Sequence, residues 1–264
     1  MQTSSFNYYR DLAVQEPKSG VQILPMTEYF DNCHTTDGIW YSDLFADFRV
    51  IERESLPEGC TFGVKYTTLA MNPTILLPWL KARLVKRGVK FIRKVVKSFD
   101  EARAISGARI IVNASGLGAK ELAGDEAVMP IRGQTMFVKT GFNELVMKEG
   151  SEYTYVIPRM GSGGVILGGV KSERLDGEVD QELKVSILGR VNRVTGDAFE
   201  GLDVEGGVED IIGFRPGRRG GLRVERERDV VHAYGMAGAG YIYSFGVAEK
   251  VRELLEGCWV RAKL

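Results

Sequence analysis

Ile110–Leu122 reads IIVNASGLGAKEL. The short run Ile110, Ile111, Val112 stops at small residues, Ala114, Ser115, Gly116 and Gly118, which is the pattern of a buried strand running into a tight turn. In open α/β sheets, ligands bind in the crevice outside the carboxyl ends of the strands, where glycines let a ligand approach the backbone. A glycine that only supplies a positive φ gives the same pattern. The stretch therefore predicts a strand and turn of an α/β domain and leaves the ligand open.

The rest of the 264 residues narrows the choice. The length fits one large domain or two closely joined ones, and 44% hydrophobic content excludes disorder. Because 35 Lys and Arg balance 35 Asp and Glu, no overall field attracts a polyanion, and nucleic acid would need a local patch. Cys33, Cys60 and Cys258 are odd in number and far apart, which suits a reducing compartment and offers no disulfide framework or metal spacing. His34 and His232 are the only histidines, so a metal cluster or Ser-His-Asp constellation is poorly supplied. Apolar runs such as TILLPWL (Thr74–Leu80) are far shorter than the ~20 residues of a membrane helix, which predicts a soluble chain. The start, MQTSSFNYYRDL, is not patterned as a secretory signal. The end, Ala262-Lys263-Leu264, is a conservative variant of the Ser-Lys-Leu peroxisomal address, or a chance tripeptide on a basic tail.

Residues up to about Lys65 are mixed, with scattered aromatics and no clear period, and read as loops and short elements. From Asn72 a cap, Pro73 at the first helical position and Leu76, Leu77, Leu80 and Leu84 at helical spacing predict an amphipathic helix that Gly88 stops. VKFIRKVVKSF (Val89–Phe99) alternates as a strand does. Further strands are expected in QTMFVKT, YTYVIP and GVILGGV, the last two forming a hairpin around RMGSG. QELKVSILGRVNRV places Leu183, Val185, Ile187, Leu188 and Val191 on a broad helical face. VEDIIGF, GLRVE and DVVHAY return to strands before Gly-rich GMAGAG opens a last helix, Tyr243 to about Glu256. The order suggests an α/β (α+β) fold with an inserted antiparallel sheet.

Two more stretches bear on chemistry. HAYGMAGAGYIYSFGVAEKVRELL (His232–Leu255) is a strand, three glycines and a helix, whose N-terminus suits an anion such as a reduced flavin ring. Its GxxGxG spacing is not the dinucleotide GxGxxG. IIGFRPGRRGG (Ile211–Gly221) sets Arg215 between Phe214 and Pro216 at a strand end, where a planar guanidinium held in a cavity suits a carboxylate. Arg218 and Arg219 follow in a glycine-flanked turn, and Arg223, Arg226 and Arg228 alternate with Glu225 and Glu227 as a solvated face.

Taken in order, VNASGLGA, PIRGQTMFVK, YVIPR, GFRPGRRGGLRVERE and HAYGMAGAGY resemble the D-amino-acid oxidase family, which includes the D-aspartate oxidases, from about Gly38 to Leu264. The resemblance implies FAD as cofactor and oxidation of a D-amino acid to its imino acid by hydride transfer to the flavin, with O2 reduced to peroxide and no enzymic base. By the same resemblance Arg215 clamps the substrate carboxylate, the Tyr155 hydroxyl shares it and the Gly238 carbonyl accepts from the amine. Gly238, Ala239, Gly240, Tyr241 and Ile242 correspond to one flavin-contacting loop, Ser115 and Gly116 to another, and Val96 to a contact near the adenosine half. Lys171 stands where D-aspartate oxidases carry an arginine, which implies an acidic substrate; as a turn lysine it would simply be solvated. A peroxisomal matrix location with its import receptor as partner, and a homodimer, complete the expected associations.

The family opens on a strand, a GxGxxG turn and a helix that hold the FAD pyrophosphate, and no such motif occurs here. The expected architecture is an incomplete Rossmann-like FAD-binding domain, residues 1–125 and 222–264, with a substrate domain at 126–221. The alternative function is an impaired or truncated relic of the oxidase that acts only in binding.

Overall fold

The structure, a computed structural model, describes residues 1–261, with backbone alone from Gly257. Helix α1 (Gln2–Gln15) leads into β1 (Val21–Phe30), and after β2 (Arg49–Val50) comes β3 (Phe62–Met71). β1 and β3 pair antiparallel along their whole length, Val21 opposite Met71 and Phe30 opposite Phe62. The region to about Lys65, expected to be loops and short elements, thus holds a 14-residue helix, a ten-residue strand and the start of another. Neither strand alternates cleanly, because much of each is covered on both faces, and a run buried on both sides loses the period of two.

Helix α2 (Pro73–Lys86) starts as expected: Asn72 Oδ1 accepts from the Thr74 amide at 3.1 Å. Only Leu76 of its apolar stripe is fully buried, and Leu77 and Leu84 are exposed. The following segment, 89–97, is extended and forms no strand. Alternating apolar residues make a strand only beside a partner. None of the described strands runs along this segment, and Phe91, Ile92 and Val95 lie open to solvent. Helix α3 (Phe99–Ser106), which no periodicity announced, follows under a Ser98 cap.

The decisive strand, β4 (Ile111–Asn113), is present with its small-residue turn at 116–118 and the short α4 (Ala119–Leu122). It is an edge strand, with Val112 exposed, rather than a buried one. β5 (Val128–Lys139), β6 (Leu145–Glu149), β7 (Thr154–Arg159) and β8 (Gly164–Gly168) include the expected hairpin, β7 to β8. Helix α5 (Gln181–Thr195) is capped by Asp180 and ended by Gly196 at φ +61°. Its inner face is Ile187, Val191 and Val194; Val185 points to solvent, and Lys184 is buried instead, paired with Asp210 at 2.9 Å. β9 (Glu209–Arg218), β10 (Arg223–Glu227) and β11 (Val230–Tyr234) precede α6 (Gly240–Arg261), which begins three residues before the expected Tyr243.

The strands form an eight-stranded sheet, β2-β3-β1-β6-β7-β8-β5-β9, and a three-stranded one, β10-β11-β4. In the large sheet only β1 and β6 run parallel, and in the small one β11 and β4 do. The mixed α/β class is as expected, but β1 and β3 share the large sheet with the strands of 126–221, so the expected division at residue 126 cuts across that sheet. One face of it is sealed by α5, with Met136, Val156, Leu167, Ile187 and Val191 fully buried, each contributing about 1.5–3 kcal/mol of hydrophobic stabilisation. The opposite face carries Met26, Phe30, Tyr66 and Leu145. α1 closes onto α6, where Tyr8 stacks on Phe245 and the Gly246 amide donates to Ser5 Oγ at 2.8 Å. A Cβ at Gly246 would lie 2.2 Å from the Met1 carbonyl oxygen, so this contact requires glycine.

At the end of β6, buried Lys148 donates to Asp31 at 2.7 Å, and Ser151 donates to the same carboxylate. The Lys148 hydrogen bond, then those of Ser151, lower the Asp31 pKa to about 2. The stabilisation is complete above the ordinary aspartate pKa of 3.8 and is lost as pH falls through about 2. Asp31→Asn is expected to cost about 2 kcal/mol at pH 7 in denaturant unfolding, and to flatten the acid-side loss of stability between about pH 4 and 2.

Candidate active site

Directly opposed residues place side chains on the same face of a sheet. Glu28, Met147, Tyr155 and Gly168 form one such row across β1, β6, β7 and β8. A Cβ on Gly168 would fall 2.5 Å from the Tyr155 hydroxyl, so the phenol lies across a strand that gives up its side chain there. Arg215 opposes Ile131 on β5, and its guanidinium fills the space left at Gly133, where a Cβ would come within 2.4 Å of Nη1. Its Nη1 donates to the Val170 carbonyl at 3.1 Å, and more weakly to that of Arg132 at 3.5 Å.

Two glycine turns pack beside β9. In the first, Asn113 Oδ1 accepts from the amide and hydroxyl of Ser115, and Gly116, at φ +60°, packs on Pro216. In the second, residues 237–239 form a single 3-10 turn at the mouth of α6, with Gly238 in van der Waals range of the Arg215 Cδ. Gly240, Tyr241 and Ile242 continue it as an exposed helix start with open space at Gly240. The structure thus brings Tyr155, Arg215, Gly238, Ser115 and Gly116 around β9. Val96 stands apart on the extended segment, half-exposed, and none of the contacts joining the others includes it.

Lys171 follows the carbonyl that Arg215 binds. Its ammonium sits over the Tyr153 ring at 4.9 Å from the centroid, and that ring meets Tyr155 at 5.5 Å. The loop behind it is held by side chains that the sequence reading left aside. Buried Arg132 donates to the Asp176 and Glu178 carbonyls, and Gln134 donates to the Asp180 carbonyl at 2.8 Å and accepts from its amide at 2.9 Å. An arginine and a glutamine two apart in an apolar strand share a face and need buried partners, which was the available signal.

The electrostatics follow from burial against charge. Burial pushes the Tyr155 hydroxyl up, while the charge and hydrogen bond of Arg215 pull it down. Tyr153 is pushed up to about 12 by burial and then by Glu149. Glu28, buried beneath Tyr41 and Tyr66, takes hydrogen bonds from both hydroxyls at 2.5 and 2.9 Å; burial raises its pKa. Glu149 is also raised by burial and by Glu28, and lowered by Lys171. Arg159, four residues beyond Tyr155 on the same face, donates to the Met71 carbonyl at 2.7 Å, and burial lowers its pKa. His232 is buried between Asn113 and Tyr234, its pKa lowered by burial, so it is a neutral structural residue.

The profile of the "FAD dependent oxidoreductase" family matches residues 25–254. The chain is 32% identical to a D-amino-acid oxidase of Fusarium vanettenii over 85% of its length and 67% of that protein's. It is 31% identical to a D-aspartate oxidase of Talaromyces thermophilus, over 95% of this chain and 71% of the relative. Among solved structures, an iminodiacetate oxidase from Chelativorans shares the fold at a TM-score of 0.72 and 12% identity, covering 97% of this chain and 79% of that one. A glycine oxidase from Bacillus cereus does so at 0.67 and 17%, covering 97% and 81%. The family profile, matched over most of the chain, makes this an FAD-dependent oxidoreductase. The chain belongs to the D-amino-acid oxidase family of FAD-dependent oxidoreductases, and FAD is its cofactor.

The residues present fit the ring end of that cofactor. Two glycine turns leave backbone accessible, and the start of α6 offers N–H groups with Tyr241 and Ile242 exposed beside them. Gly133, the glycine that the Arg215 guanidinium covers, provides a direct check on that side chain's position. Gly133→Ala meets only the far end of a flexible side chain, so unfolding stability is expected to change by less than about 1 kcal/mol. The displaced guanidinium is expected to raise the KM for a D-amino acid about 10-fold in steady-state kinetics.

Proposed function

We propose that the chain oxidises D-amino acids to imino acids, holding the substrate carboxylate on Arg215 and Tyr155. The observation that carries this reading is that Arg215, half-buried beside a tyrosine hydroxyl, is oriented by backbone carbonyls and pairs with no carboxylate of the described residues. A desolvated guanidinium gains most from an anion that completes its planar fork. On this reading the carbonyl of Gly238, in the turn beside the Arg215 stem, accepts from the substrate amine and so fixes the orientation of Cα. When bound, FAD supplies the acceptor for the hydride leaving Cα, and O2 takes the electrons to give H2O2. The chain's own contribution is orientation and exclusion of water. Buried His232 is engaged with Asn113 and takes no part in the reaction on this reading.

For the substrate side chain, the reading is an acidic D-amino acid such as D-aspartate. Support comes from Lys171, whose cation lies one aromatic ring away from Tyr155, and from the likeness to a D-aspartate oxidase. A peroxisomal matrix location rests on Ala262-Lys263-Leu264, which lies outside the described residues.

Purified protein supplied with FAD is expected to show bound-flavin absorbance and to release peroxide with D-amino acids but not L-amino acids; no flavin at any concentration would sink the reading. Arg215→Ala is expected to lower kcat/KM by about 100-fold or more, because it removes a charged hydrogen-bond partner. Lys171→Phe is expected to lower the D-aspartate to D-alanine ratio of kcat/KM by about 10-fold. An unchanged ratio would return Lys171 to the solvated face.

A further inference from the structure

Asp125 is nearly buried and lies outside the residues assigned above to substrate or flavin, yet it gathers three strands. Its Oδ2 accepts from Arg218 Nε and from the Tyr234 hydroxyl, both at 2.8 Å, and Arg223 Nη1 stands 3.9 Å away. Its Oδ1 accepts from the Ala127 amide at 3.0 Å. Arg223 closes the ring by donating to the Tyr234 hydroxyl at 2.9 Å, and its other nitrogens pair with Glu225 and Glu227. Arg218 ends β9, Arg223 begins β10, and Tyr234 ends β11.

Two paths lead from this cluster to the candidate site. Along β9, Arg215 lies three residues before Arg218. Past the end of β11, Gly235 turns at φ +87° directly against Arg218, where a Cβ would lie 2.9 Å from the Arg218 Cβ, and Gly238 lies three residues beyond. The paths meet again at Gly238, where an added Cβ would lie 3.6 Å from the Arg215 Cδ. The cluster is the base of a triangle whose apex is the meeting of the Arg215 side chain with Gly238.

We propose that Asp125 is a positioning residue, which acts through Arg218 and Tyr234 to hold the Arg215 strand end and the 235–240 turn at the spacing that an amino acid's carboxylate and amine require. The kinetic half of this rests on the oxidase reading above; the mechanical half does not. Removing the charge while keeping the shape leaves two arginines without their shared anion, and their repulsion loosens the turn that packs on Arg218. The pair Asp31 and Lys148, remote from the turn, is an equally buried, equally polar contact and serves as the reference.

The test compares Asp125→Asn, Asp125→Glu and Asp31→Asn in the full chain by hydrogen exchange, with and without FAD, and by steady-state kinetics with D-amino acids. Asp125→Asn is expected to speed exchange about 10-fold in 213–219 and 235–240 while leaving α5 unchanged, and Asp125→Glu to restore part of the protection. Asp31→Asn is expected to leave both segments as in the unaltered protein. In turnover, Asp125→Asn is expected to raise KM about 10-fold with kcat within about 3-fold. Should Asp125→Asn fail to fold, Arg218→Lys keeps the charge and loses the geometry, and the same two segments are expected to loosen. Unchanged exchange in them, or equal loosening by Asp31→Asn, would overturn the proposal. Absence of turnover in the unaltered protein, with the exchange pattern intact, would count against the oxidase reading alone.

Discussion

The arrangement depends on one steric constraint: the sheet withholds side chains where Arg215 and Tyr155 must lie flat. At Gly133 and Gly168 the neighbouring strand leaves room for a guanidinium and a phenol that any Cβ would displace. Both groups are thereby half- or fully buried against a β surface instead of standing out into solvent. Burial raises the electrostatic worth of each contact, and also means that an arginine without an acidic partner is held there at a cost. The sheet can carry that cost because its other face is packed on α5 with residues that are fully buried.

The glycines at 133 and 168 were visible in PIRGQTMFVK and GGVILGG, but their meaning was not. A glycine within a strand signals close approach without naming what approaches. The identity of the visitor is a cross-strand fact, fixed by the registers of β5 with β9 and of β7 with β8. Elements with a local cause were legible: the Asn72 cap, the β7–β8 hairpin and the helix α5. Elements whose cause is a partner were not. β1 and β3 lack alternation because neighbours cover both faces, and 89–97 alternates well yet forms no strand because the described residues supply none beside it.

The run of arginines from Arg215 to Arg228 shows the same division within one stretch. Local spacing separates Arg215, before its proline, from the rest. It does not separate Arg218 and Arg223, which converge on Asp125 from two different sheets, from Arg226, whose guanidinium lies against the Arg228 carbonyl. Alternation with glutamates suggested a solvated face; for Arg223 the glutamates are real partners, but the side chain is mostly covered and also serves Tyr234.

Lys171 illustrates how much of a specificity argument lies outside the residue itself. Its ammonium rests on a tyrosine face, and Glu149 lies within its electrostatic reach. A cation already attended by an aromatic face and a carboxyl gains less from a further anion than a bare one does. Burial raises the pKa of Glu149 while the charge of Lys171 lowers it, so the two groups act as one electrostatic unit. The proposed preference for an acidic substrate is therefore a property of that unit together with Tyr153, and not of the lysine alone.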